Sequence, residues 1–243
     1  MKDVIVSYAS VGREDYFSGQ LKLIKSIKDS GWGGDTLFYS DGGYCDNYLG
    51  YNIILDFPKQ KKYIGHRQSE IPYQFKYVAI QAAREMGYER IFWLDSSMRV
   101  VGNLSELFNE SDSGIVSFHN LGHDLYKFIS DSATHNLLVS EEELKVIPQT
   151  WGGAIGFDFT KKGVDELFNE IFRQSNMGSF SDGKSKREGF VAHRHDQAVN
   201  SVLFYRAGVS LLPYGKIVVA AHAKEPFEYG KDYYLICGDI SYE

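Results

Sequence analysis

The sequence predicts an α/β fold in which one domain is built on a central, mainly parallel mixed sheet with helices on its faces. Three observations carry that expectation. The chain opens with strand, helix and strand in succession, and a second helix then runs straight into an apolar strand that ends in a carboxylate. The 243 residues, 43% apolar and 15% aromatic, supply enough material for one extended core.

Residues 4–9 (Val-Ile-Val-Ser-Tyr-Ala) are a nearly continuous apolar run, as expected of a strand covered on both faces. After a turn at 11–15, Phe17, Leu21, Ile24 and Ile27 recur at helical spacing until Gly31, Gly33 and Gly34 stop the helix. Residues 36–39 read as the second strand, and Ser40-Asp41-Gly42-Gly43 ends it in a turn. This order implies a parallel pair joined by a right-handed crossover. Residues 51–55 read as a third strand and the Lys-rich 58–68 as a loop. Pro72 suits a first helical turn, and Phe75, Val78, Ala79, Ala82 and Met86 form an apolar stripe closed by Gly87.

The next strand is the most informative stretch, because Arg90-Ile91-Phe92-Trp93-Leu94 runs directly into Asp95-Ser96-Ser97. In open α/β sheets the carboxyl ends of the strands form the ligand crevice, so Asp95 is held on a rigid support where a ligand can reach it. Its ordinary alternative is a turn former. Beyond it, Leu104, Leu107 and Phe108 indicate a short helix, 114–118 a strand, and 124–149 a mostly helical stretch. Residues 150–159 (Thr-Trp-Gly-Gly-Ala-Ile-Gly-Phe-Asp-Phe) alternate small residues with hydrophobes, the pattern of a strand that something approaches closely. A helix at 161–174 follows. Residues 175–189 have no apolar period and are expected to form a mobile surface loop able to act as a lid. His195-Asp196-Gln197 starts another helix, and 210–213 and 217–221 are the closing strands.

Formal charge is −6, which excludes a nucleic-acid surface as the main working face, since phosphates want a basic one. Cys45 and Cys237 stand far apart without metal-type spacing and read as reduced thiols. No apolar run approaches the roughly 20 residues that span a bilayer, so the expectation is a cytoplasmic protein with at most a peripheral membrane association. No G-x-G-x-x-G and no P-loop follow the first strand, against a dinucleotide oxidoreductase or a P-loop enzyme. Tyr8-Ala9-Ser10-Val11-Gly12 holds one Gly and no Lys, against a nucleotidyltransferase.

Four landmarks stand in order: Phe92-Trp93-Leu94-Asp95-Ser96-Ser97, Trp151-Gly152-Gly153-Ala154-Ile155-Gly156-Phe157, the Asp196-Gln197 helix start, and His222-Ala223-Lys224-Glu225-Pro226-Phe227. Their order resembles the GT-A glycosyltransferases, above all the glycogenin-like and galactosyltransferase-like branch, family 8. There the strand reads Leu-Asp-Ala-Asp and continues into an apolar stretch and a short Leu-rich helix, much as residues 98–108 do here. The resemblance is at the level of motifs and covers most of the chain. It implies a single GT-A-type, Rossmann-like domain over 1–243, with a nucleotide-binding half at 1–100 and an acceptor and sugar half at 101–243. It also implies transfer of a sugar from a nucleoside-diphosphate sugar to a saccharide or glycan acceptor.

On that likeness Ser7, Tyr8 and Ala9 lie beside base and ribose, Asp41 contacts the base, and Lys76 reaches the donor phosphates. Asp95, Ser96 and Ser97 form the Asp-x-Asp-like motif, and Asp95 and His222 are the protein ligands of a Mn²⁺ or Mg²⁺ ion. Ser97 occupies the place of the motif's second carboxylate, so the ion would lean on diphosphate oxygens and water.

Sugar transfer needs positive charge at the departing diphosphate, for which Lys76, Lys224 and a metal are the candidates, and a carboxylate near the oxocarbenium-like carbon, for which Asp196 is the catalytic candidate. Trp151, Gly152 and Gly153 can wall the sugar, and Gln197, next to Asp196 at the helix start, is a further donor-binding candidate. Each has a plain structural alternative: Asp196 as a helix N-cap, Lys76 as a solvated helix residue, His222 as a core-edge histidine, the glycine pair as packing. His193, Arg194 and His195 stand close enough to Asp196 to touch donor or acceptor, whereas Lys59, Lys61, Lys62, His66, Arg67, Lys184, Lys186 and Arg187 either draw in an anionic donor or are solvated loop charges. A second functional reading is a non-catalytic binding module of the same fold, with Ser97 marking the loss of metal and turnover.

Overall fold

Apolar runs form the centre of a six-stranded mixed sheet. The computed structural model describes residues 2–9, 14–40, 53–54, 71–213, 217–219 and 234–237. Strand β1 (Asp3–Ala9) buries Val4, Ile5 and Val6 completely. Helix α1 (Glu14–Asp29) leads to β2 (Asp35–Ser40), parallel to β1, and β3 (Ile53–Ile54) is parallel to β2. Helix α2 (Gln74–Glu85) delivers the chain to β4 (Arg90–Leu94), parallel to β1 on its other side. Then come β5 (Met98–Val100), α3 (Ser105–Asn109), β6 (Ile115–Val116), β7 (His119–Asp124) and a 3₁₀ turn at Leu125–Lys127. Helices α4 (Asp131–Leu137) and α5 (Glu141–Val146) are followed by β8 (Pro148–Thr150) and β9 (Ala154–Asp158). Helices α6 (Val164–Asn176) and α7 (His195–Arg206) precede β10 (Ile217–Val219) and β11 (Leu235–Cys237).

The sheet order is β3-β2-β1-β4-β9-β6, parallel through β4, with β9 antiparallel to both β4 and β6. Side chains along β4 alternate between two cores. Ile91 and Trp93 join Phe75, Tyr77 and Phe168 on the face covered by α2, α6 and α7, while Phe92 and Leu94 join Ile24, Leu104 and Phe108 on the face of α1 and α3. The close approach expected along 150–159 occurs at Gly156, where a Cβ would stand 3.0 Å from Phe108 Cζ and Val116 Cβ. β10 and β11 pair in parallel, and β11 runs antiparallel to β5.

Several local expectations change. Helix α1 buries Gln20, Leu23, Ile24 and Ile27, whereas Phe17 and Leu21 are half-buried, because its inward side is fixed by β5, whose Val100 N donates to Ser26 Oγ at 3.0 Å. Helix α2 begins at Gln74, not in a turn led by Pro72, and every residue from Gln74 to Ile80 is buried, so its covered surface is broader than the predicted stripe; Met86 is exposed. The 124–149 stretch is two short helices, each with a serine cap, bracketed by the antiparallel β7 and β8. Leu212 makes a single bridge to Phe118 in place of a strand at 210–213.

The segment 175–189 is not a free loop. Asp131 accepts from Ser185 Oγ at 2.5 Å and from Lys186 N at 3.1 Å, its own N donates to Lys184 O at 3.0 Å, and Arg187 donates to Ile129 O. Such ties between polar groups leave no apolar period to read. Among the described residues no helix is long and apolar enough to cross a membrane.

Candidate functional site

The end of β4 is fixed by two backbone bonds: Asp95 N donates to Gly153 O at 2.8 Å, and Met98 N donates to Asp95 O at 2.9 Å. They hold the Asp95 carboxylate, one-third exposed, at the mouth of the strand. Its Oδ1 accepts from Trp93 Nε1 at 2.7 Å and lies 3.1 Å from Lys76 Nζ. Lys76 comes from the first turn of α2 and is almost sealed from solvent. Its ammonium also donates to Gly152 O at 2.7 Å and lies 3.2 Å from Asp196 Oδ2. Three N–H groups thus meet three oxygens, with the Tyr73 ring 5.2 Å away as a further partner.

A buried ammonium without partners is prohibitively costly, and burial by itself pulls the Lys76 pKa down. The Asp196 and Asp95 carboxylates more than offset that pull and hold it above the ordinary lysine value. One ammonium against two carboxylates leaves a formal charge of −1. Burial, with Asp95 adding repulsion against the attraction of Lys76, accordingly places Asp196 above the ordinary carboxylate range. The Tyr73 hydroxyl is raised as well, by burial and then by Asp196.

This cluster lies where two cavities meet. The smaller, about 250 Å³, has rings of Tyr8, Tyr16, Tyr73, Phe75 and Trp93 around Lys76, Asp95, Ser96 and Ser97. The larger, about 660 Å³, is lined by residues 182–185 and 190–197 together with Tyr73. Tyr73 is common to both linings.

Lys76, Asp95, Asp196 and the Gly152 carbonyl are therefore brought together, and Lys76 is not a solvated helix residue. Nor is Asp196 the N-cap: Arg194 holds that position, and the Asp196 carboxylate turns to Lys76. Of the first-strand residues only Tyr8 lines a cavity, since Ser7 and Ala9 are sealed inside the sheet. A Cβ on Gly152 would stand 2.5 Å from Gln197 Cγ, and one on Gly153 would stand 2.3 Å from the Trp151 ring, so both glycines are required by close approach. Trp151 is half-buried against Gly153 and lines neither cavity, whereas Gln197 lines the larger one with its Oε1 lacking a hydrogen-bond partner. Ser97 Oγ lies 3.8 Å from Cys237 Sγ. Asp41, His222 and Lys224, like Lys59, Lys61, Lys62, His66 and Arg67, fall outside the described residues.

Sequence reasoning did not single out Tyr16, Tyr73 and Trp93. Trp93 and Phe75 had the look of core, and the one available signal was the clustering of aromatics just before Lys76 and Asp95. No family model matches the chain, and no curated protein matches it either.

Proposed function

We propose that the chain is a glycosyltransferase of the GT-A kind that moves a sugar from a nucleoside-diphosphate sugar to a saccharide or glycan acceptor. One observation carries the reading: a buried ammonium held by Asp95 and Asp196 at the junction of an aromatic cavity and a larger, more polar one. The aromatic cavity at the β1 and β4 ends suits a flat base, with Lys76 and Asp95 toward the diphosphate. The larger cavity suits sugar and acceptor. Lys76 opposes charge building on the leaving diphosphate, and Asp196, held in place by Lys76, faces the carbon that becomes cationic.

Within the described residues no group of three His, Cys, Asp or Glu side chains is placed for a metal ion. In the smaller cavity Asp95 supplies the one carboxylate, with Ser96 and Ser97 also in the lining, and both Trp93 and Lys76 bond to its Oδ1. That set fits a Mn²⁺ or Mg²⁺ ion whose other oxygens come from diphosphate and water. A bound ion would supply Lewis-acid neutralisation of the leaving group.

The test is a panel of uridine- and guanosine-diphosphate sugars offered with simple saccharide acceptors, with and without Mn²⁺. Turnover of one donor is expected, and Asp196→Asn should lower it by about 100-fold or more in enzyme that is still folded at the assay temperature. Failure to bind or cleave any nucleotide sugar would overturn the reading. Ser97, standing without the second carboxylate, favours the alternative of a binding module, in which nucleotide binds to wild type and no donor turns over.

A further inference from the structure

Among the described residues three non-glycine positions have a left-handed backbone: Tyr73 (φ 61), Leu138 (φ 51) and His195 (φ 44). Leu138 ends a helix, where that conformation is ordinary. Tyr73 and His195 instead stand at the starts of α2 and α7, the helices that carry Lys76 and Asp196, and their rings meet at a tilt of 34° with centroids 5.0 Å apart. Strained backbone of this kind persists where the surroundings impose it, and such positions concentrate at working sites. Both residues line the larger cavity.

The His195 ring is oriented by a bond that settles its tautomer. Nδ1 lies 2.8 Å from the carbonyl oxygen of Phe180, which can only accept, so Nδ1 carries the hydrogen. In the neutral ring Nε2 then holds the lone pair. That atom lies 3.7 Å from Asp182 Oδ1, and Asp182 is part of the same cavity wall. Among the described residues, further ionisable neighbours of the ring include Tyr73, His193 at 5.3 Å between centroids, and Arg194 and Asp196 on either side in the chain.

We infer that His195 is the general base of the transfer, taking the proton of the acceptor hydroxyl on Nε2. The inference rests on the proposed sugar transfer and adds to it the group that Asp196, engaged by Lys76, does not provide. The acceptor O–H bond breaks with its proton passing to Nε2, the acceptor oxygen bonds to the anomeric carbon, and the carbon–oxygen bond to the diphosphate breaks with its electron pair leaving on the diphosphate. The resulting imidazolium faces the Asp182 carboxylate, whose Oδ1 lies 3.7 Å from Nε2. Nδ1–H stays on Phe180 O throughout, so the ring need not turn.

Two measurements test this on the full chain. Nitrogen-15 NMR of the wild-type histidines, with His195 assigned by its loss in His195→Asn, is expected to show the Nδ1-protonated tautomer for this residue; an Nε2-protonated ring overturns the proposal. Asn also tolerates a left-handed backbone and its amide can still donate to Phe180 O, while nothing replaces Nε2. With the donor found by the nucleotide-sugar panel, His195→Asn is expected to slow transfer about 100- to 10,000-fold and to leave UDP and GDP affinity, measured by calorimetry, unchanged. Transfer at the wild-type rate by His195→Asn overturns the base and leaves sugar transfer standing. A wild type that turns over no donor instead overturns both.

Discussion

The two cavities that meet at Tyr73 are built from different material. The smaller stands on regular structure: Tyr8 is on β1, Trp93 on β4, and Phe75 and Lys76 are in the first turn of a helix buried nearly all round. The larger stands mostly on a chain without regular structure, residues 182–194, tied down by Asp131, Ser185, Arg187 and His193. Packed strands and helices fix a wall by many dispersion contacts that do not depend on pH or salt, whereas polar ties depend on protonation state. The first kind of wall suits a ligand part of constant shape, and the second suits a part whose surroundings must adjust. In the proposed reaction these are the nucleotide and the acceptor.

The strongest way to break the comparison is at the ammonium that ties Asp95, in the smaller cavity, to Asp196, in the larger. Lys76→Met keeps the volume of the chain and removes the ammonium, leaving Asp95 and the sealed Asp196 with no cation between them. Removing one partner of a buried pair costs about 3–5 kcal/mol, read as a lowered urea midpoint. The double variant Lys76→Met/Asp196→Asn should recover part of that loss, since the stranded charge is gone. Stability within about 0.5 kcal/mol of wild type for Lys76→Met would mean that the ammonium is not what holds the two walls together.

The contrast between the walls also explains what could be read beforehand. Residues 4–9 and 90–94 are continuous apolar runs, so their burial and the strand-end placement of Asp95 were legible. The helical spacing of Phe17, Leu21, Ile24 and Ile27 likewise marked α1, whereas the short strands β5, β7, β8 and β11 were not legible. Neither was the burial of Lys76, because a lysine inside a helix carries no local mark of its partners, and those partners arrive from the far ends of β4 and α7. The left-handed Tyr73 has no signal either, being imposed by packing on a residue type that rarely adopts it. Residues 175–189 were read as a free loop since hydrogen bonds to Asp131 and Ile129 follow no sequence period.

A second prediction sharpens the comparison through pH. His193 is buried in the tied wall, where its Nδ1 accepts from Ser130 N at 3.2 Å and its Nε2 faces Ser179 O at 2.9 Å. Burial, aided by the neighbouring His195, lowers its pKa to about 4 against the bond to Ser179. Above the ordinary histidine value of 6.5, both folded and unfolded chains are neutral at this ring and stability is complete. As pH falls from there toward about 4, the unfolded chain binds a proton that the folded one refuses, so stability is lost over that window. The loss attributable to His193 is on the order of 3 kcal/mol, obtained as the difference between wild type and His193→Gln in denaturation series at several pH values. Parallel curves for the two proteins between pH 6.5 and 4 would show that this wall is no more proton-sensitive than the strand-built one.

The smallest expected effect lies inside the strand-built wall and asks whether rigidity there extends to the carboxylate. Trp93→Phe keeps a ring near Phe75, whose centroid lies 5.7 Å from that of the indole, and removes the Nε1–H that bonds Asp95 Oδ1 together with part of a fully buried ring. Lys76 still holds the same oxygen, and Asp95 is partly open to water, so the lost bond is worth on the order of 1 kcal/mol, or about fivefold in affinity. That loss should fall on nucleotide-diphosphate binding, measured by calorimetry with Mn²⁺ present, because the indole N–H orients Asp95, while the missing part of the ring lowers the unfolding midpoint. A lowered midpoint with unchanged affinity would assign the indole to packing alone, and Asp95 would then take its orientation from Lys76 and the turn that closes on Met98.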